Sequence, residues 1–261
     1  LPEVWSAKAS ITYRSNTVLW PLLNHAWEPE TGVGKGDTIR IPGFSQNNAS
    51  TNRGAGTGTF GTGAALTFDA VTEASTVFTI TRMYMKNYRI PIEMSVQVMG
   101  TYVPLLTDGA ATAIAVDVDA AVAGDNTDGL DAFTAIGTDN VDVTDDDILT
   151  GETNLNNVNA PLDGRYFVYS PATRGSLMKI DHYRNSLFAS SGGNLDGSKG
   201  PGFQGKVYTL DFYMTNNLEA GTSGKKNAIF QREAIVCAAQ TGIKYIHDVN
   251  VEDGIFNQYV A

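Results

Sequence analysis

Apolar and polar positions follow two rhythms along this chain, one of period two and one of period 3.6. Gly36-Asp-Thr-Ile-Arg-Ile-Pro42 alternates and stops at proline, which predicts a strand. Thr76–Ile90 alternates for longer, with Phe78, Ile80, Arg82, Tyr84, Lys86 and Tyr88 on one face and Val77, Thr79, Thr81, Met83 and Met85 on the other. Read as one strand at ~3.3 Å per residue it would run close to ~50 Å, and with Gly36–Ile41 beside it would form a protruding two-stranded arm. The period then changes. Leu105, Leu106, Ala110, Ala113, Ile114, Val118, Ala121 and Val122 fit one stripe of a helix over 104–122, with Pro104 in its first turn and Gly109 as a weak point. A separate short helix is expected over Glu93–Met99. Thr144-Asp-Asp-Asp147 has the form of a capping box opening a helix toward Leu149 and Leu155.

The remainder alternates again. Arg165–Ser170 reads as a strand stopped by Pro171, with a short helix over Pro171–Ile180. Val207–Thr215 reads as a strand ending at Asn216-Asn217, and Ile229–Ala239 as a buried element. Leu1–Pro29 reads as an irregular arm whose Trp5, Trp20 and Trp27 must pack on something. The class is α+β, with elements too irregular for a doubly wound sheet.

Composition sharpens this picture at one place. Gly43–Leu66 carries six glycines, a single charge (Arg53) and otherwise mostly Ser, Thr, Asn and Ala. A stretch of that length without apolar anchors is uncommon inside a compact domain, so its ordering is expected to come from a partner. No run approaches the ~20 apolar residues of a membrane span, because Asp117 and Asp119 interrupt Ala110–Val122. No basic leader followed by an apolar segment is visible, so no secretory signal is expected.

The formal charge of -10 is unevenly spread. Residues 1–89 sum to +2, residues 90–164 hold fourteen acids and no Lys or Arg, and residues 165–261 sum to +2. Sequence-specific nucleic-acid binding is disfavoured, since it needs a basic footprint. The acidic middle instead suits the basic ends of a neighbouring copy, or a solvated face that keeps the protein soluble.

Catalytic chemistry finds little support. Gly56-Thr-Gly-Thr-Phe-Gly61 has dinucleotide-fingerprint spacing but lacks the strand-to-helix context the motif needs. Gly192–Gly197 has P-loop spacing with Ser198-Lys199 in the wrong order. Gly124–Asp131 resembles a calcium loop without its first ligand or its closing glutamate. His25, His182 and His247 stand far apart, and Asp181-His182 are neighbours whose side chains diverge. Cys237 lies in the apolar run Ile235–Ala239 and reads as a buried, inert thiol. No catalytic residue, metal or cofactor is assigned.

The order of elements resembles the major capsid proteins of tailed bacteriophages, the Hong Kong 97-type fold. The resemblance is carried by Leu1–Ser6, by Gly36–Pro42 with the glycine-rich tip and Thr76–Ile90, and by Pro104–Val122. Its most specific parts are Pro161-Leu-Asp-Gly-Arg-Tyr-Phe-Val-Tyr-Ser-Pro171, Gly205–Leu218 closed by Asn-Asn-Leu, and Ala228–Ile235 followed by Ala238-Ala-Gln240. It implies an N-terminal arm over 1–30 and an extended β-hairpin loop over 31–90. It further implies a spine helix and peripheral domain over 91–130, an axial domain over 131–240 and a return to the peripheral domain over 241–261. Two departures are Gly109 inside the spine helix and a chain that stops at Ala261, where relatives often continue into another strand.

The implied function is self-assembly through pentamers and hexamers into an icosahedral head. Scaffolding, portal and decoration proteins are the expected partners, together with non-specific contact with packaged double-stranded DNA. Subunit contacts are expected from Trp5, Asp37, Arg40, Arg53, Phe60, Arg82, Lys86, Arg89, Asp145, Asp146 and Asp147. Two other readings stand beside this one: an encapsulin-like protein compartment, and a β-rich glycan-binding adhesin suggested by the Thr/Asn/Gly content. A hydrolase is disfavoured by the missing nucleophile, base and metal spacing.

Overall fold

A computed structural model describes residues 2–28, 38–44, 73–91, 102–124, 129–138, 140–180, 183, 202–222, 224–250 and 255–260. The expected short helix at Glu93–Met99 lies outside these residues, as do the glycine-rich tip and the Gly192–Gly197 loop.

The centre is a four-stranded sheet of order β5-β6-β4-β7, with β4 Arg165–Tyr169, β5 Phe203–Val207, β6 Leu210–Met214 and β7 Ala228–Gln231. Strand β4 runs parallel to β6 and antiparallel to β7. As an inner strand it is covered on both faces, which explains its continuous apolar run. The pleat sorts its side chains between two cores. Val168 joins Tyr213 and Phe230 on one face, where Leu19, Leu22 and Leu23 and the end of the long helix α2 (Tyr102–Ala123) cover the sheet. Phe167 and Tyr169 join Leu210 and Phe212 on the other, where Ile148 of helix α3 (Asp145–Asn157) and Leu177 of helix α4 (Pro171–Leu177) pack.

Both shorter helices start as their sequences predict. Thr144 and Asp147 form a reciprocal capping box on α3. Ser170 caps α4 through the Thr173 amide, with Pro171 in the first turn. Helix α3 approaches β7 so closely that a Cβ on Gly151 would stand 2.5 Å from Ile229 Cδ1. Gly164, in the turn before β4, has φ +69° and leaves only 3.2 Å to Arg232 Cβ for an added Cβ, so glycine is required twice over.

Three expectations are corrected. The arm is not irregular: Pro2–Asn16 is helix α1. Its polar residues disguise a stripe of Trp5, Ala9 and Tyr13, of which Trp5 and Tyr13 pack on Ala110 and Ile114 of α2. Thr76–Ile90 is not one strand. Strand β2 (Glu73–Thr79) pairs antiparallel with β1 (Thr38–Phe44), and β3 (Lys86–Pro91) joins a different, three-stranded sheet. Tyr84 in the connector packs on Ala110 and Ile114, which draws the chain out of the ribbon. Seven-residue strands at ~3.3 Å per residue make a ribbon nearer ~23 Å than ~50 Å. Third, Val207–Thr215 is the end of β5, a turn at Tyr208-Thr209, and β6. Ile229–Ala239 likewise divides into β7, a short 3-10 turn over Arg232–Ala234, and a bridge between Val236 and Asn24.

The third sheet has order β3-β9-β8, with β8 Tyr245–Asn250 and β9 Ile255–Val260. The end of the chain thus pairs with a strand some 170 residues earlier, Lys86 opposite Val260. Helix α2 touches this sheet with its first half and enters the central core with its last turns, Val122 and Ala123. Gly109 sits within α2 on the side of β3, where an added Cβ would lie 3.6 Å from the Tyr88 hydroxyl.

Candidate assembly surfaces and the buried polar junctions

The residues expected at subunit contacts fall into three groups. Arg40 on β1, Arg82 in the connector and Lys86 at the start of β3 are exposed. Arg89 lies on β3 at the register position of Asn257. Asp37, Arg53 and Phe60 lie outside the described residues. Trp5 is half-buried against α2 of its own chain. The acidic triplet divides: Asp147 closes the capping box and Asp146 is exposed, whereas Asp145 accepts hydrogen bonds from the hydroxyls of Tyr183 and Tyr208. Other acids of this region have cationic partners in the same chain: Asp108 with Lys8 at 2.8 Å, Asp131 with Lys226 at 2.8 Å and Asp142 with Lys179 at 3.8 Å. The Lys226 ammonium thereby occupies the last residue of the calcium-like segment. Among the described residues no cluster of three or more His, Cys, Asp or Glu could hold a metal ion, and no helix is long and apolar enough to cross a membrane.

Among the described residues, exposed apolar side chains are spread over the surface, Ile11, Leu105, Leu162 and Ile246 among them, and two groups lie beside the ribbon and helix α3. Val77 on the ribbon, with Met83 and Met85 just beyond it, is one. The other is a groove of about 930 Å³ between residues 129–143, helix α3 and the 218–229 segment, where Phe133, Ile136, Val141 and Val158 line the wall.

The polar junctions that hold these surfaces in place were not legible in the sequence. Asp119 reads there only as an interruption of an apolar run. In the structure it is fully buried where α1, α2 and the central sheet meet. Its carboxylate accepts the amides of Val18 at 2.9 Å, Leu19 at 3.1 Å and Trp20 at 3.4 Å, and the Asn217 side-chain amide at 3.3 Å. Burial pushes this carboxyl above its ordinary range, with the four donors opposing the shift. The Asn217 of the Asn-Asn-Leu exit is therefore a structural ligand of Asp119. Arg165 is equally buried: Nε donates to Pro161 O, Nη2 to Ala160 O, and Nη1 to Asn156 Oδ1 and Thr209 Oγ1. One guanidinium thus ties the end of α3 to the β5–β6 turn.

His25 and Cys237, 212 residues apart, meet with Nδ1 3.3 Å from Sγ. Nε2–H donates to Trp20 O at 2.9 Å, and the thiol donates to Asn24 O at 3.7 Å beside the ring. The pair has the outline of a nucleophilic dyad but the opposite electrostatics. Burial first, and the Glu28 charge second, push the Cys237 thiol up to about 12, so it stays protonated and inert.

No protein-family model and no curated protein sequence matches the chain. Solved structures do match along nearly its whole length, several of them phage capsids or heads. A structure from Mycobacterium phage Che8 aligns with a TM-score of 0.69 and 21% identity over 94% of this chain and 84% of that one. The mature capsid of bacteriophage PhiM1 aligns at 0.61, with 11% identity over 95% and 80%. A virus-like particle from Pyrococcus furiosus aligns at 0.56, with 12% identity over 99% and 90%. The chain therefore has the fold of phage capsid subunits, as the resemblance implied.

Proposed function

We propose that this protein is a major capsid protein, a structural subunit without catalytic activity that self-assembles into the icosahedral head of a tailed phage. The observation that carries this reading is the fold match to capsid structures over more than nine-tenths of the chain. Exposed Val77, Met83 and Met85 beside the ribbon and the apolar wall of the groove support it as surfaces that a neighbouring subunit would cover. On this reading α1 and the residues after it form the arm, and β1 and β2 are the base of the extended loop. Helix α2 is the spine, the β3-β9-β8 sheet the peripheral domain, and the four-stranded sheet with α3 and α4 the axial domain. Pentamers and hexamers are the assembly units and the virion is the location, with head assembly in the host cytoplasm. Scaffolding, portal and decoration proteins are partners. Packaged double-stranded DNA meets an acidic surface that does not grip it.

Exposed Arg40, Arg82 and Lys86, with Arg89, are the cationic side of a contact whose anionic side is drawn from Asp117 to Asp147 of the next subunit. Among the described residues Asp117, Asp142 and Asp146 are exposed there, Asp142 beside Lys179, whereas Asp145 and Asp147 accept hydrogen bonds within their own chain. Trp5, packed on α2, supports the arm from within. Reversing Arg82 and Lys86 together should abolish particles while leaving a folded subunit, and undiminished assembly refutes the pairing. Light scattering behind a sizing column, with electron microscopy of the largest fraction, tests the main reading. Closed shells or rings of five and six are expected, and a stable ~28 kDa monomer in the presence of the neighbouring genes overturns it. The virus-like particle match favours one second reading, a compartment enclosing protein; particles free of nucleic acid would select it.

A further inference from the structure

Two unlike apolar surfaces lie toward opposite ends of helix α2. On its first half Tyr84 packs against Ala110 and Ile114. Alternation turns the neighbours of Tyr84 the other way, so Met83 and Met85 stand 76% and 59% exposed. Arg82 and Lys86 flank them, and Arg40 lies on β1 of the ribbon. Near the last turn of α2 the groove begins at Ala123 and Leu130. Every described residue from 132 to 142 is exposed, and this stretch forms one side of the groove through Phe133, Ile136 and Val141. It is anchored at its two ends, by the Lys226–Asp131 pair and by the Thr144–Asp147 capping box. Among the described residues the charged lining is Asp131, Asp142, Asp147 and Glu219 against Lys225 and Lys226. Both lysines are engaged within the chain, Lys225 on Leu218 O at 2.7 Å and Lys226 on Asp131. The groove thus joins apolar walls to a net negative charge.

We propose, resting on the capsid reading above, that this groove receives the 79–87 segment of a second copy: Met83 and Met85 pack on Phe133, Ile136 and Val158, and Arg82 and Lys86 meet the acids at the rim, Asp142 among them. The charges of the two surfaces are opposite, which selects this occupant over a purely apolar one. Unbranched methionine side chains adapt to an irregular apolar wall. A volume of about 930 Å³ admits a chain segment with several side chains rather than a single one. The methionines of a chain do not serve its own groove. From Ala110 and Ile114 to Ala123 the helix rises about 13–20 Å at ~1.5 Å per residue, and Met83 and Met85 face away from it. A contact between two unlike patches is head-to-tail, the kind that closes into rings.

Cross-linking within assembled particles tests it. Met83→Cys and Ile136→Cys are made singly and together, and the buried Cys237 thiol gives no background. A short bis-maleimide should join the double variant into a ladder ending at pentamer or hexamer, whereas each single variant stops at dimer. Particles whose double variant also stops at dimer overturn the groove contact and leave the capsid reading standing. If the wild type forms no particles the capsid reading fails, and if the double variant forms none the cross-link is not reached. In both cases a fluorescent peptide of residues 79–87, titrated into the full unassembled chain, decides. It should bind, and lose affinity by about ten-fold or more to Ile136→Lys with Val141→Lys, exposed positions where lysine repels the cationic segment. A peptide carrying Met83→Ser and Met85→Ser should lose as much. No binding, or binding that neither change weakens, overturns the proposal.

Discussion

Asp119 offers the most direct quantitative test of how this fold is held. In Asp119→Asn one oxygen survives and an amide replaces the other. With the oxygen at the Oδ1 position, it still accepts Leu19 and Trp20, and the new NH₂ faces the Val18 amide and the Asn217 side-chain amide. Flipping the group merely exchanges which two donors are orphaned. Each unmet buried donor costs about 1–3 kcal/mol, giving roughly 2–6 kcal/mol for two. Part of this is returned, because burial already disfavours the charged carboxylate. A net loss of about 2–4 kcal/mol is expected, measured by urea unfolding of unassembled subunits followed by tryptophan fluorescence, with Trp20 on the site itself.

The pH dependence has a definite sign. The folded-state pKa of Asp119 is raised above its unfolded value, so the stability this group contributes is full below the unfolded pKa and declines as pH rises through the folded one. Asparagine does not titrate there. The gap between wild type and variant should therefore widen on acidification toward about pH 4. A variant within about 0.5 kcal/mol of wild type, or a gap that narrows in acid, refutes the reasoning.

Other outcomes follow from the same geometry. Cys237 should resist thiol reagents at about pH 8 in the folded chain and react only on unfolding, because its pKa of about 12 keeps it protonated; the stability it contributes is lost only as pH rises from about 9 toward 12. Stopped-flow labelling checks this, and rapid reaction of the folded protein contradicts it. Gly151→Ala should leave stability within about 1 kcal/mol in thermal melts. Its Cβ clashes only with Ile229 Cδ1, the end of a half-buried side chain that can turn toward the groove, while the helix gains a better former. A loss above about 2 kcal/mol would mean that Ile229 is held rigidly. Gly109→Ala should raise stability by up to about 1 kcal/mol, because its Cβ meets only the Tyr88 hydroxyl at an ordinary 3.6 Å while the helix gains a better former. A lower melting temperature for Gly109→Ala would mean that the helix needs its glycine.

What could be read from the sequence and what could not divide along a physical line. The apolar stripe of α2, the Thr144–Asp147 capping box, the Ser170-Pro171 entry to α4 and the apolar run of β4 were all legible. In each case the stabilising partners lie within a few residues, so backbone hydrogen bonding and periodic burial leave their mark locally. Helix α1 was missed because Ser6, Ser10 and Thr12 dilute its stripe, and Ser10 bonds back to the carbonyl of Ser6 within the helix. The break in Thr76–Ile90 was missed for a different reason: alternation continues unchanged across it, and only packing of Tyr84 on α2 and pairing of Lys86 with Val260 show that two sheets share the segment.

Among the expected contact residues, the sequence identified the charged clusters but could not say which charges were already spoken for. That Asp145 holds two tyrosines while Asp146 remains exposed depends on a hairpin more than sixty residues further on. The same holds for Asp119 and its donors about a hundred residues away, and for His25 with Cys237. Taken alone, the sequence determined the elements whose energetics are local, the uneven distribution of charge, and an order of elements resembling a capsid subunit. Tertiary structure decided which polar groups are buried and by what they are satisfied, because the cost of desolvating a carboxylate, a guanidinium or an imidazole is set by the groups that packing brings to it.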